Sequence, residues 1–564
     1  MPHLALPTLT ALLRRAGVAV TQRDLNIETF DALLTPLALE TARQRVQHRL
    51  RDPLERSERE HLLGVLTAAE ELVEDIELAK KTLRGPAFYE PDENLGAMLT
   101  VMDALELASA PYFPNALSWY GVQSSYRPDS TVGILQAIRD GHHNMFLELF
   151  EQTVLPKLEA DPPDIVGISL TTIHQVLPGL TLVALIKRRL PQIHIVLGGK
   201  MVTAWREELP KRRQLFDLAD SAVYFEGEPA LLRLIEALDS GDSLANVPNL
   251  IYRQGEKIYM NPPEVAADLE AMPLPDYEGL PLDRYLAPQR ILPIEACRGC
   301  YWRRCAFCNL GYGQSRNYRA RPPEYIAAEM ASLQQRYGTR FFFFVDEALP
   351  PAMLAGLSEA ISARGLDLYW AACVRFEPRI EPSLLHAMRD AGCRMLMYGL
   401  ESGVQRILDR IDKGTTLQTV GRILRQAREA GIWNHIFVFF GFPGETEDEA
   451  QQTIHFTHDH LEDIHSIAGG TFILEKYSQI YQQPAAFGVK VLREQGIDLA
   501  FQYPYQVTSG QTAKEALRSL QRFQEILDAR RIPRVFFDDV YDLLYAVAFE
   551  DPKMLWSAPG EPTQ

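Results

Sequence analysis

The run Ala296-Cys297-Arg298-Gly299-Cys300-Tyr301-Trp302-Arg303-Arg304-Cys305-Ala306-Phe307-Cys308 holds four of the six cysteines in a chain of 564 residues. Thiols crowded this closely, in a long chain otherwise poor in cysteine, do not make a disulfide framework. The spacing is Cys297-x2-Cys300-x4-Cys305-x2-Cys308. A structural zinc site places a long stretch between its two Cys-x2-Cys halves, and four residues leave little room for a tetrahedral knuckle. Gaps of two to four residues are those of iron–sulfur ligation. The segment is therefore read as a cluster-binding loop. With four ligands the cluster is closed and carries electrons. With three, one iron stays open to a substrate and the cluster can do chemistry.

Downstream of Arg290, short apolar runs alternate with helical stretches. Six strands are expected, at 291–295, 340–345, 368–374, 394–398, 435–440 and 467–474, with helices at 323–337, 352–363, 417–430 and 447–461. Strands separated by helices of that length imply right-handed crossovers and a parallel sheet. Ligands of a parallel barrel gather at the carboxyl ends of its strands, and the cysteines follow the first of them. The other strand ends also carry polar residues: Asp346 and Glu347, Arg375, Glu401 and Ser402, and Glu445 and Thr446.

The segment from Arg298 to Cys308 resembles the cluster loop of the radical S-adenosylmethionine (SAM) superfamily, in which Arg-Gly-Cys opens the motif and an aromatic residue precedes the last cysteine. It departs by one residue, with four rather than three between Cys300 and Cys305. The resemblance implies a partial (βα)6 barrel and a [4Fe–4S] cluster held by Cys300, Cys305 and Cys308, with Cys297 a bystander. Tyr398-Gly399-Leu400-Glu401-Ser402-Gly403 and Gly441-Phe442-Pro443-Gly444-Glu445-Thr446 are similar to motifs of radical SAM proteins that carry a cobalamin domain. By that likeness Glu401 and Ser402 are expected to contact SAM, Arg375 and Asp346 are further candidates, and Phe307 is expected to pack on adenine. The bland reading of Asp346 and Arg375 is a strand-end cap or an ion pair.

Before the cysteines, 164–171, 193–200 and 222–229 each read as a strand running into a polar or glycine-containing loop, as in a doubly wound α/β sheet that binds ligands at its carboxyl edge. Ser169-x-Thr171, Gly198-Gly199 and Phe225-Glu226-Gly227-Glu228, in this order ahead of the cysteine loop, resemble the cobalamin-binding domain of B12-dependent radical SAM proteins. Ser169, Thr171, Gly198, Gly199, Glu226 and Gly227 are the implied cobalamin contacts. Asn26 stands where many cobalamin domains carry the cobalt-binding histidine, so no histidine ligand is expected. A helix at 4–16 and a strand at 18–24 are expected, with the family's usual strand before that helix absent.

The fold class is thus α/β. Residues 1–260 form the cobalamin-binding-like domain with a helical insertion at about 35–160, 261–285 a linker, 286–482 the barrel and 483–564 a helical C-terminal region. A stripe of Leu62, Leu66, Ala69, Val73 and Ile76 marks a packing seam. The histidines at 455, 458, 460 and 465 include an i, i+4, i+7 set, His458, Glu462 and His465, that is read as a solvated helix face. A net charge of −17 disfavours nucleic acid as the main partner. No apolar run reaches membrane-spanning length, no signal-peptide pattern opens the chain, and a thiolate cluster suits a reducing compartment, so a cytoplasmic protein is expected. The leading functional reading is a radical SAM enzyme that cleaves SAM to a 5′-deoxyadenosyl radical, with cobalamin carrying a methyl group to an unactivated carbon or phosphorus. The substrate would be a small molecule or peptide, and an external low-potential donor would supply electrons. The alternatives are cyclisation or rearrangement with the same cofactors, a non-catalytic electron carrier using all four cysteines, and a tRNA-modifying enzyme.

Overall fold

The computed structural model describes residues 1–265, 269–310, 317–529 and 539–549. All six expected strands after Arg290 form: Ile291–Ile294, Phe341–Phe344, Tyr369–Val374, Cys393–Glu401, Trp433–Phe440 and Ser466–Thr471. They pair in chain order, every pair parallel, and the first and last strands do not close on each other. The intervening helices are Pro323–Tyr337, Pro351–Ala363, Pro382–Asp390, the short Gln405–Ile411, Leu417–Glu429 and Glu447–Asp459. Proline opens the first three, where its missing N–H costs nothing and its fixed φ suits the first turn.

The strands alternate with period two. Leu292, Ile294, Phe342, Phe344, Trp370, Leu396, Tyr398 and Ile436 pack on the outer helices. Phe341, Phe343, Ala371, Met395, Met397 and Trp433 face the other way, into a core shared with the N-terminal region and the C-terminal helix Asp539–Ala548. That helix buries Leu543 and Leu544, stacks Tyr545 on Phe88 of the helical insertion, and places Asp542 beside His435 and Ser466 near the start of the fifth and sixth strands. It therefore plugs the lower barrel. The preceding helix, Ala513–Ala529, packs on the outer face of the fifth and sixth strands, where Phe523 meets Phe440 and Leu520 and Phe523 close over Gly469.

The N-terminal sheet has five strands. Ile165–Ser169, His194–Gly198 and Ser221–Val223 are parallel, and the hairpin Leu250–Gln254 and Lys257–Met260 extends them antiparallel. The helix expected at 4–16 forms as Ala5–Arg15, but the strand expected at 18–24 does not. Its residues are tied elsewhere: Gln22 donates to the carbonyls of Asp276 and Glu278, and Asp24 caps the helix Leu25–Leu33. Ile165–Ser169 is consequently an edge strand. The packing seam forms as expected, with Leu62, Ala69 and Ile76 fully buried, although the helix breaks at Thr67–Ala68.

Above the fifth strand, Glu445 is fully buried, accepts from the Gly441 N–H, and is reached by Gln511 of the C-terminal region. Burial pushes its carboxyl up to about 7. Between the usual carboxylate range and that value the folded chain binds more protons than the unfolded one, so this group's contribution falls as pH rises. Glu445→Gln is therefore expected to flatten the loss of stability between about pH 4.5 and 7, read from denaturant midpoints at several pH values. A slope unchanged from the parent would remove Glu445 as its source.

Candidate functional site

The cysteine loop leaves the first barrel strand and is anchored at both its ends. Asp346, at the end of the second strand, accepts from the N–H groups of Ala296 and Cys297. Burial pushes its carboxyl up to about 7 against those hydrogen bonds. Asp346 is thus a strand-end cap that holds the loop's entry, the bland alternative of the sequence reading. Cys297–Arg298 pairs antiparallel with Arg319–Ala320, closing the base of the loop. Cys297 is 3% exposed, and burial together with the nearby Asp346 carboxylate raises its thiol.

The other three thiols lie on the far part of the loop and influence one another electrostatically. Burial raises Cys305 and pushes Cys308 up to about 12. Among the described residues no three His, Cys, Asp or Glu side chains stand in metal-holding geometry. The donor set nevertheless suits a thiolate cluster, because three soft, half-buried ligands share one loop and two cations, Arg375 and Lys413, act on Cys305. Metal binding would hold these thiols deprotonated.

The loop docks on the turn after the short helix Gln405–Ile411. Trp302 Nε1 donates to the Asp412 carbonyl, Arg304 pairs with the Asp412 carboxylate, and the Ala306 N–H donates to Ile411. Gly414, at φ +72°, lies under Trp302, whose ring occupies the place a Cβ would take. Arg375 lies 4.2 Å over the Trp302 ring, pairs with Glu377 and donates to the Lys413 carbonyl. Sequence reading missed Trp302 and Lys413. A lysine in an Asp-Lys-Gly turn after a short helix reads as a solvated C-cap, and no spacing signals its burial.

The expected SAM contacts fare unequally. Glu401 adopts φ +67° at a bulge in the fourth strand and pairs with Lys413 Nζ at 2.5 Å, with side chains 10% and 8% exposed. The carboxylate expected by likeness to contact SAM is paired with a cation of the chain itself. A Cβ on Gly399 would displace this pair, since it would overlap both Glu401 Oε1 and Lys413 Nζ. Ser402 is buried with its hydroxyl engaged by Thr453 Oγ1 and the Val404 N–H, which is a turn-forming role. Phe307 packs edge-on against Phe439.

Losing one partner of a buried ion pair leaves the other charge uncompensated. Lys413→Met is expected to cost about 3–5 kcal/mol, and Glu401→Gln with Lys413→Met to recover most of it. Denaturant midpoints of the two variants test this; equal losses would show that the pair is not coupled.

A cavity of about 1980 Å³ runs between the N-terminal sheet and the barrel. It is bordered by the edge strand, by Ser169, Gly198, Gly199, Glu226 and Gly227, and across the gap by Glu295, Cys297, Arg298, Asp346 and Glu347. Arg375, Glu401, Ser402, Phe307 and the three outer thiols are not on its wall. Nothing lies within 4 Å of a Cβ built on Gly198, so that backbone is open to the cavity. Gly199, at φ +95°, would bring a Cβ to 2.5 Å from the Leu170 carbonyl. Thr171 departs from expectation: its hydroxyl and N–H are engaged by Gln175 Oε1 and it is not on the cavity wall. Glu226 is ion-paired with Arg298 and Arg319. Among the histidines, His465 is buried against Trp433 and accepts from the Asn434 N–H, and the helix ends at Asp459, so the i, i+4, i+7 set never shares a helical face.

Six parallel strands with three outer thiols on the loop after the first define the class: residues 294–457 match the Radical SAM superfamily, and the barrel is a radical SAM domain. The chain is 31% identical over 300 residues to an uncharacterised methyltransferase of Pyrococcus horikoshii, covering 52% of this chain and 64% of that one. It is 26% identical over 323 residues to the anaerobic magnesium-protoporphyrin IX monomethyl ester cyclase of Rubrivivax gelatinosus, covering 55% and 57%. It thus spans less than two thirds of the length of either relative. Its fold is similar to that of TsrM, a radical SAM methyltransferase of Kitasatospora setae solved with cobalamin and a [4Fe–4S] cluster bound, at TM-score 0.54 and 16% identity over 73% of this chain and 88% of that one. Among the described residues no helix is long and apolar enough to cross a membrane.

Proposed function

We propose that the chain is a cobalamin-dependent radical SAM methyltransferase acting on a small molecule or peptide, with Cys300, Cys305 and Cys308 as cluster ligands. The observation that carries this reading is the cavity: one wall is the glycine-bearing edge of the N-terminal sheet and the other is the entry of the cysteine loop. A reduced [4Fe–4S] cluster held by the three outer thiols would supply the electron for SAM cleavage, and cobalamin in the cavity would supply a methyl carrier. The chain's own residues position and shield. Arg375 and Lys413 offset thiolate charge, Asp346 fixes the loop's entry, and Gly198 lets a large ligand approach backbone. The methyltransferase relative and the likeness to TsrM support the reading; the cyclase relative shows that similar chains also serve ring closure.

The test needs no substrate. The anaerobic chain, reconstituted with iron, sulfide and hydroxocobalamin and then reduced, is incubated with SAM. Release of both 5′-deoxyadenosine and S-adenosylhomocysteine, the co-product of methyl loss from SAM, is expected. 5′-Deoxyadenosine alone would move the reading to cyclisation or rearrangement, and neither product would sink it.

A further inference from the structure

We propose that Glu226 and Glu228, on the turn after the third N-terminal strand, are positioning residues that hold the base of the cysteine loop closed. The loop's two ends form a two-stranded ladder in which Arg298 stands directly opposite Arg319. Like charges facing each other across a ladder repel. Here the carboxylates between them come from a different part of the chain. Glu226 contacts both guanidiniums: Oε2 lies 3.5 Å from Arg298 and 3.3 Å from Arg319, and Oε1 also pairs with Arg319. Glu228 Oε1 meets Arg298 at 2.6 Å, and Glu295 also pairs with Arg298 at 2.9 Å. The side chains of Glu226, Glu228, Arg298 and Arg319 are at most 17% exposed, so water screens their repulsion and attraction poorly.

The same turn borders the cavity next to Gly198 and Gly199. The N-terminal sheet therefore grips the loop that carries Cys300, Cys305 and Cys308 through the motif that sequence likeness assigns to cobalamin. The inference deepens the proposed function by naming what couples its two halves. It replaces a cofactor-contact role for Glu226 with an electrostatic one.

The experiment uses the full chain freed of metal, so its outcome does not depend on whether a cluster or cobalamin binds. Alkylation rates at Cys300, Cys305 and Cys308 are followed site by site with iodoacetamide and mass spectrometry. Folding is checked by circular dichroism. Glu226→Gln leaves the two arginines facing each other with less compensation, and the three thiols should react about tenfold faster, as expected for local opening after a buried pair is broken. Adding Arg319→Gln to that variant removes the repulsion and should return the rates toward the parent's, which a merely structural loss would not do. Parent-like rates in Glu226→Gln, or a double variant as reactive as the single, would overturn the proposal. Should Glu226→Gln fail to fold, Glu228→Gln carries the same test: several-fold faster alkylation is expected, and unchanged rates would overturn it.

Discussion

Cys300→Ala, Cys305→Ala and Cys308→Ala are each expected to abolish reductive SAM cleavage in the reconstituted chain, whereas Cys297→Ala keeps its cluster. The four thiols stand close in sequence but not in environment. Cys297 belongs to the ladder at the base of the loop, buried, with its thiol beside Asp346 and Tyr318 and its N–H donated to Asp346. A nearby carboxylate and burial both disfavour its thiolate. Cys305 has Lys413 and Arg375 beside it, which favour the thiolate that a metal needs. Iron content, the absorption of the reconstituted protein and 5′-deoxyadenosine release should separate the variants without ambiguity. Loss of the cluster in Cys297→Ala, with retention in Cys300→Ala, would reverse the assignment.

Two adjacent glycines should fail in different ways. Gly198 has ordinary backbone geometry and faces the cavity, so Gly198→Val should fold like the parent. Its side chain would occupy ligand space, and hydroxocobalamin affinity should fall by about ten- to a hundredfold, the factor that an overpacking cost of ~1–3 kcal/mol implies. Gly199→Val should lose stability instead. The position combines φ +95° with ψ −179°, a region essentially confined to glycine that costs an L-residue about 1–3 kcal/mol, and its Cβ would strike the Leu170 carbonyl. Thermal midpoints and spectral titration with hydroxocobalamin distinguish the two. Unchanged cobalamin affinity in Gly198→Val would take this edge out of the ligand site.

What was not legible at the site has one cause. Glu401 and Ser402 were legible as polar residues at a strand's carboxyl end, where ligands gather, but nothing local marks Lys413 or Thr453 as their partners. Those partners lie 12 and 51 residues away. Glu226 carries the same lesson in a stronger form, because its partners Arg298 and Arg319 lie on another unit of the chain. The 18–24 segment has the composition of a strand, yet a strand exists only if a neighbour takes its backbone hydrogen bonds. Here the 276–278 segment engages Gln22 instead.

Local chemistry alone determined the cysteine spacing, the six alternating strand and helix segments, and the proline and glycine punctuation between them. Each depends on neighbours within a few residues, so each is legible in the amino-acid sequence by itself. Tertiary structure decided which carboxylates already have cations, which glycine faces open space, and that the edge strand borders a cavity shared with the cysteine loop. Those are contacts between residues far apart in the chain. Their free energy depends on pairing buried charges and excluding water between distant segments, a quantity that no single stretch of sequence contains.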